Sequence, residues 1–498
     1  MSNAIKKLAG ETVIYGVTTI VGRFVNWLLV PLYSAVFLPE EYGVVTNLMS
    51  YTAIFMVVLT YGTETGFFRF CSSDNKNDVF STLITSLSAT TAVFLLLIFS
   101  FLSPISDFLD IPTHKEYLIL LSITIAIDVI TSIPFALLRQ ENRPMKFGII
   151  KLTNIAVNIG SNLFFLILCP YLLNKGINLP FYNPDGGIVY VFVSYLIAAS
   201  VTFLMMLPYV LKFQFHFSYY LLRKILKYSF PILIVSIAGM INLNIDKIIM
   251  PKLLSENMSI DKALSMTGIY GANYKLALIM YIFTQGFRFA FEPFFFSYSK
   301  NEDSKEVYKK VFLYFTGFGL IIFLGCMCWI DVLQHFLRRP EYNVGAIIVP
   351  WVLMANLFQG MYYSLSLWYK LTDKTYYGAY MALIGCMVTI SINFIFMPLL
   401  GYIASAYAVF ACFLIMCILS LILGKKHYKI NYNISKILFY FILAVSLYFI
   451  SRYIKFDSNW TTSVARTPLV IIFAAIFIFN EMKFVFTKKF LNTMLRKK

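Results

Sequence analysis

Apolar residues dominate this chain in runs of about 20 positions, separated by short polar links, and the runs recur from end to end. A helix of about 20 residues, at 1.5 Å per residue, spans the roughly 30 Å hydrocarbon core of a bilayer. The runs predict helices near 11–37, 42–66, 80–104, 115–138, 147–173 and 188–211. Six more follow near 229–254, 267–298, 308–334, 344–369, 375–399 and 402–424, and a last pair near 434–451 and 465–486. We number these helices 1 to 14 in chain order. Two basic stretches interrupt the series: 212–228, with Arg223, Lys224 and Lys227, and GKKHYKINYNISK after helix 12. The predicted fold class is an all-α membrane protein of about 14 transmembrane helices.

Composition agrees with that reading. Of 498 residues, 59% are hydrophobic and 13% charged, against about 25% charged in a soluble domain. The longest outer link, NKGINLPFYNPDGG, spans 174–187. Such short links leave no room for an extramembrane catalytic domain. The start, MSNAIKKLAGE, resembles the n-region of a signal peptide. The apolar run behind it continues to about Phe37, contains Arg23 and Asn26 and has no small-residue cleavage site. It reads as an uncleaved first helix.

The formal charge is +17, from 41 basic and 24 acidic residues. Such a balance suits either a nucleic-acid partner or the positive-inside rule, and the distribution decides. Sorted by link, 27 basic residues fall on the side of the N-terminus, the even-numbered links and the C-terminus. Nine fall on the other side, and five (Arg23, Lys151, Lys247, Lys275, Arg288) lie inside helices. The bias predicts cytoplasmic termini and excludes nucleic acid as the reason for the charge.

Seven cysteines form no CxxC pair and the four histidines are scattered. No metal site is predicted. The chain has no GxxxxGK[ST] and no GxSxG. No cofactor is expected, and the predicted activity is transport rather than catalysis.

A short internal repeat appears. Thr65-Gly66-Phe67-Phe68-Arg69-Phe70 in helix 2 is similar to Gln285-Gly286-Phe287-Arg288-Phe289 in helix 8. Pro31 precedes Arg69 by 38 residues and Pro251 precedes Arg288 by 37. The offset corresponds to six helices, an even number, so the two halves would run the same way through the membrane.

Several helices carry polar faces. In helix 1, Thr12, Tyr15, Thr19, Arg23 and Asn26 are spaced by three or four residues and share one face. Arg23 lies roughly 18 Å into its span, where it needs either an anionic substrate or a carboxylate from another helix. Helix 8 bears Tyr274, Tyr281, Gln285, Arg288 and Glu292 on one face. Arg288 and Glu292 are four residues apart and either pair with each other or serve substrate. Asn242 and Asp246 share a face of helix 7, and Asp246 either pairs, with Arg23 for example, or titrates. Asn154, Asn158, Ser161 and Asn162 form a stripe on helix 5 that suits interhelical hydrogen bonding. Asp128 in helix 4 has no partner visible in the sequence. Glu64 and Arg69 read as an interfacial pair at the end of helix 2.

The stretch from Glu11 to Tyr51 resembles the start of bacterial polysaccharide flippases of the Wzx type, on Pro31-Leu32, Pro39-Glu40 and Tyr42-Gly43. The segment LKYSFPILIVSIAGMINLNIDKIIM followed by TGIYGANYKLA is similar to that family's helices 7 and 8, on Pro231, Asp246, Gly268-Ile269-Tyr270 and Lys275. The resemblance implies the multidrug/oligosaccharidyl-lipid/polysaccharide exporter superfamily. It implies two six-helix bundles around a central cavity, with domains at 1–211 and 229–424, a basic link at 212–228 and two added helices in 425–498. It further implies flipping of an undecaprenyl-diphosphate-linked glycan across a bacterial inner membrane by alternating access. The expected partners are the lipid-linked glycan, membrane lipids and glycan assembly proteins. Arg23, Asn26, Gln285 and Arg288 are then the candidate substrate contacts, and Asp246, Glu292 and Asp128 the candidate coupling carboxylates. The rivals are a drug/cation antiporter of the same superfamily and an integral-membrane glycan polymerase or ligase.

Overall fold

The computed structural model describes residues 21–22, 24–212, 214, 216–299, 301–372, 374 and 376–481. All secondary structure among them is helical. Twelve helices are long and apolar enough to cross a membrane, corresponding to predicted helices 2–7 and 9–14. Helix 1 falls largely outside the described residues, with Phe24–Val36 remaining as a shorter apolar helix. Helix 8 is present as Ile260–Leu276 and Leu278–Tyr298. The break at Ala277 and the charges Asp261, Lys262, Lys275, Arg288 and Glu292 keep either piece from reading as a simple apolar span. The described count is therefore twelve rather than about fourteen.

Helix 7 begins ten residues earlier than its apolar run predicts, as Tyr219–Ser255. The Ser218 hydroxyl caps it, accepting the Leu221 N–H at 3.3 Å. Its first turns are amphipathic rather than a loose basic link. Leu221 and Ile225 are buried in a core with Phe67, Phe80 and Leu83, while Arg223 and Lys224 are exposed. Lys224 ties this segment to the 71–75 turn through Asp74 at 3.2 Å, and that hydrogen bond lowers the Asp74 pKa.

Besides helix 8, three helices are interrupted along their length. Helix 2 runs Pro39–Thr60 and Thr63–Phe70. Between them Tyr61 and Gly62 adopt φ of 33° and 71°, a left-handed conformation that glycine takes easily and tyrosine does not. Tyr61 is fixed by a 2.6 Å hydrogen bond between its hydroxyl and Ser86 Oγ. Helix 5 contains a π-helical turn, Phe164–Leu168. Helix 10 breaks at Ser366.

The chain divides into two compact units, Met1–Gly271 with Ala382–Ala408, and Ala272–Met381 with Val409–Lys498. In the first, helices 2, 3, 4 and 7 pack around Phe67, Phe80, Leu83, Val129 and Ile225. In the second, helices 8, 9 and 10 and the Ile430 turn pack around Phe291, Phe295, Tyr308 and Leu367. The helix 5 stripe behaves as interhelical glue. Asn154 donates to Thr202 Oγ1 at 2.9 Å, and Asn162 accepts from the Tyr33 hydroxyl at 2.9 Å.

Candidate functional site

Polar side chains gather in three places. The first, in the first unit, is where the start of helix 2, the end of helix 7 and the start of helix 8 meet. Pro251 has no N–H, so it cannot serve the carbonyl four residues back, at Lys247. Asn47 of helix 2 supplies the missing donor, its Nδ2 lying 2.8 Å from the Lys247 oxygen and 3.2 Å from that of Ile248. Beside it, Asp246 is fully buried. Its Oδ1 accepts from Lys247 Nζ at 3.0 Å and its Oδ2 from the Tyr270 hydroxyl at 2.6 Å. The Lys247 ammonium also donates to the Leu243 carbonyl at 2.8 Å. Asp246 therefore meets a cation one residue along its own helix. Arg23, its other candidate partner, lies outside the described residues.

Helices 2 and 8 can approach this closely because glycines face each other. A Cβ at Gly43 would stand 1.9 Å from the Leu264 carbonyl oxygen, and one at Gly268 would stand 1.9 Å from that of Pro39.

The second place, in the other unit, joins helices 8 and 10. It brings Gln285, Arg288 and Glu292 together with two residues not singled out in the sequence, Tyr363 and Lys370. Glu292 makes a direct ion pair with Lys370. Arg288 stands 3.9 Å from Glu292, at the edge of ion-pair range, and its guanidinium lies 4.6 Å from the centre of the Tyr363 ring. Gln285 is buried beneath them and hydrogen-bonds to Tyr363. Two cations thus face one carboxylate, and the half-exposed centre keeps a net positive charge. Lys370 falls one residue beyond 369, the predicted end of helix 10, so no spacing within a helix points to it. Its position at the link end of Leu367–Leu371 puts Glu292 near the membrane surface that the charge bias assigns to the cytoplasm.

The third place is Asp128 on helix 4, which interacts electrostatically with Lys151 of helix 5 without a direct ion pair. Lys151 itself stands 4.1 Å from the centre of the Phe135 ring, a cation–π contact. Asn26 is exposed on the described part of helix 1. No group of three or more His, Cys, Asp or Glu among the described residues is arranged to hold a metal ion.

The fold is similar to a solved structure of the lipid II flippase MurJ in an inward closed conformation, with a TM-score of 0.74, 16% identity, and coverage of 95% of this chain and 100% of that one. It is similar to an inward-facing multidrug resistance MATE family transporter of the MOP superfamily, with a TM-score of 0.58 and 12% identity over 81% of this chain and 94% of that one. A MOP superfamily transporter from Pyrococcus furiosus gives a TM-score of 0.55 and 13% identity over 86% and 98%. No curated protein matches the sequence. The multi-pass membrane architecture and the transporter fold are thus shared with solved relatives. A family model described as polysaccharide biosynthesis protein matches residues 8–299. That is more than half of the chain, which belongs to the polysaccharide biosynthesis protein family.

Proposed function

We propose that this chain flips a lipid-linked oligosaccharide diphosphate from the cytoplasmic to the outer leaflet of a bacterial inner membrane, by alternating access and without making or breaking a glycosidic bond. The observation that carries the reading is the centre at Arg288, Lys370 and Glu292. It is a half-exposed, net-positive site near one membrane surface, where two cations share one carboxylate and leave a charge for an anionic partner. A diphosphate is such a partner, and a guanidinium fork binds its oxygens in pairs. Membership of a polysaccharide biosynthesis family supports a glycan as the cargo, and the structural similarity to a lipid II flippase supports a lipid diphosphate as its carrier. The transporter likeness to multidrug exporters is weaker in TM-score and leaves the glycan family unexplained.

In this reading, two six-helix bundles lie at 1–211 and 229–424, with two added helices in 425–498. Arg23 and Asn26 of helix 1 are further candidate substrate contacts, and Gln285 orients Tyr363 beside Arg288. Asp128 is the better coupling carboxylate, because Asp246 and Glu292 already hold counter-ions. The termini are cytoplasmic.

Purified protein in liposomes carrying a lipid-diphosphate oligosaccharide tests the function. Glycan placed in the inner leaflet should become accessible to an impermeant lectin while its mass stays unchanged. Arg288→Gln should slow this about tenfold or more, the worth of one charge-assisted hydrogen bond of ~1.5–3 kcal/mol, and Arg288→Lys should keep part of the rate. A lengthened glycan, or no lectin access, would rule the flippase out. Orientation is tested with single cysteines at Asn178 and His216, both exposed, on a cysteine-free background. An impermeant maleimide should label Asn178→Cys from outside intact spheroplasts and leave His216→Cys unlabelled; the reverse pattern would invert the topology.

A further inference from the structure

The outer basic residues are unevenly placed. With the orientation proposed above, nine lie outside, and five of those are Arg338, Arg339, Arg452, Lys455 and Arg466, in the link after helix 9 and where helix 13 gives way to helix 14. Positive charge on that side runs against the bias that orients the rest of the chain, so something local must favour it.

Two adjoining cavities lie in that part of the second unit. One, of about 290 Å³, is apolar and walled by Trp351, Phe358, Phe410, Phe441 and Phe449 from helices 10, 12 and 13. Its rings pack at fixed angles: Phe358 stacks on Phe441 at 5.4 Å and Trp351 meets Phe410 edge-on at 5.2 Å. The other, of about 370 Å³, is polar, with Asp331, Gln334, Asn343 and Arg452 among its lining residues. Pro350, Trp351 and Tyr448 line both, so the two share a wall. The acid in the polar half is already neutralised. Asp331 accepts from Arg466 Nη1 at 2.6 Å, and Arg466 is 1% exposed and further fixed by the Ile454 carbonyl at 3.1 Å. Arg452, exposed at the outer end of helix 13, is left as the unneutralised charge of that pocket.

We propose that this pair of cavities is a binding site for an anionic phospholipid of the outer leaflet, such as phosphatidylglycerol, with an acyl chain in the aromatic groove and the phosphate at Arg452. The site has the two halves such a molecule needs, in the right order: aromatic walls at hydrocarbon depth, then Trp351 and Tyr448 at the level where amphipathic rings mark a membrane interface, then a guanidinium beyond them. A guanidinium there selects a headgroup with net negative charge over a zwitterionic one, whose own ammonium would find the lining carboxylate, Asp331, already paired with Arg466. The site is separate from the Arg288 centre and does not depend on the cargo assigned to the chain.

Native mass spectrometry of the delipidated full-length protein tests this, with dioleoyl phosphatidylglycerol, phosphatidylethanolamine and a polyprenyl diphosphate added in turn. Phosphatidylglycerol should bind at about tenfold lower concentration than phosphatidylethanolamine, a difference of ~1.4 kcal/mol. Arg452→Gln should abolish that preference and Arg452→Lys should keep most of it. Phosphatidylglycerol with brominated acyl chains should quench Trp351, so that Trp351→Phe loses a share of the quenching. Equal binding of both phospholipids, an unchanged preference in Arg452→Gln, equal quenching in Trp351→Phe, or binding of the polyprenyl diphosphate alone would each overturn the proposal.

Discussion

Asp246→Ala is expected to lower the stability of the folded protein by about 3–5 kcal/mol, because it leaves a buried ammonium without its counter-ion. Lys247 is 8% exposed and Asp246 fully buried. The carboxylate accepts from the Lys247 ammonium, from the Lys247 backbone N–H at 2.9 Å and from the Tyr270 hydroxyl. Truncation would take the facing carboxylate from the ammonium, which keeps its contact with the Leu243 carbonyl, and would remove the carboxylate that accepts from the Tyr270 hydroxyl. Removing both charges should cost far less than removing one, since a buried pair is worth little net against neutral side chains. Asp246→Ala with Lys247→Met should therefore regain most of the lost melting temperature and membrane yield. The same variants separate structure from coupling. Asp246→Asn keeps the shape and an acceptor for Tyr270. If it melts like wild type yet fails to transport, the carboxylate titrates during the cycle. If Asp246→Ala itself melts like wild type, the charge pair is not what holds these helices together.

How much of this was legible in the sequence follows from what each feature depends on. Span positions were legible because a bilayer imposes one length and one composition on every helix. Helix 7 shows where that signal stops. Tyr219 to Tyr228 is amphipathic, with Leu221 and Ile225 turned inward, and an average over the window sees only Arg223, Lys224 and Lys227. The Arg288–Glu292 relation was legible as a spacing, but the carboxylate's direct ion pair is with Lys370, 78 residues away, and no local pattern reports that. Asp246 was legible as a charge that needed a partner. The partner next to it, Lys247, is not one that spacing suggests, because adjacent residues on a straight helix point apart; the long lysine stem closes that gap. The resemblance motifs carried more than they announced. Tyr42-Gly43, Asp246 and Gly268-Ile269-Tyr270 were separate short matches along the chain, and in the fold they meet at a single crossing of helices 2, 7 and 8.

Gly268→Ala should consequently be one of the most damaging single-methyl changes in the chain. In a membrane, helices gain little from burying apolar surface against one another, so close backbone packing and interhelical hydrogen bonds must hold them. The helix 2–helix 8 crossing is an extreme of such packing. A Cβ at Gly268 meets the Pro39 oxygen at 1.9 Å and the Gly43 nitrogen at 2.8 Å, and one at Gly43 meets the Leu264 oxygen at 1.9 Å. These obstacles are backbone atoms of helices that cannot rotate away as a side chain would. The crossing must widen by about 1 Å or more, at a cost of at least ~1–3 kcal/mol. Gly160 supplies the control, since a Cβ there meets nothing within 4 Å. Gly160→Ala should be neutral or stabilising by about 0.5–1 kcal/mol, as expected of an unobstructed helical glycine. The two seam glycines relieve the same obstruction, so Gly43→Ala with Gly268→Ala should cost clearly less than the sum of the single changes. Thermal melting of the four purified variants measures all of this. A Gly268→Ala protein as stable as Gly160→Ala would mean that the crossing yields easily; strict additivity of the two seam changes would mean that each glycine relieves a separate contact.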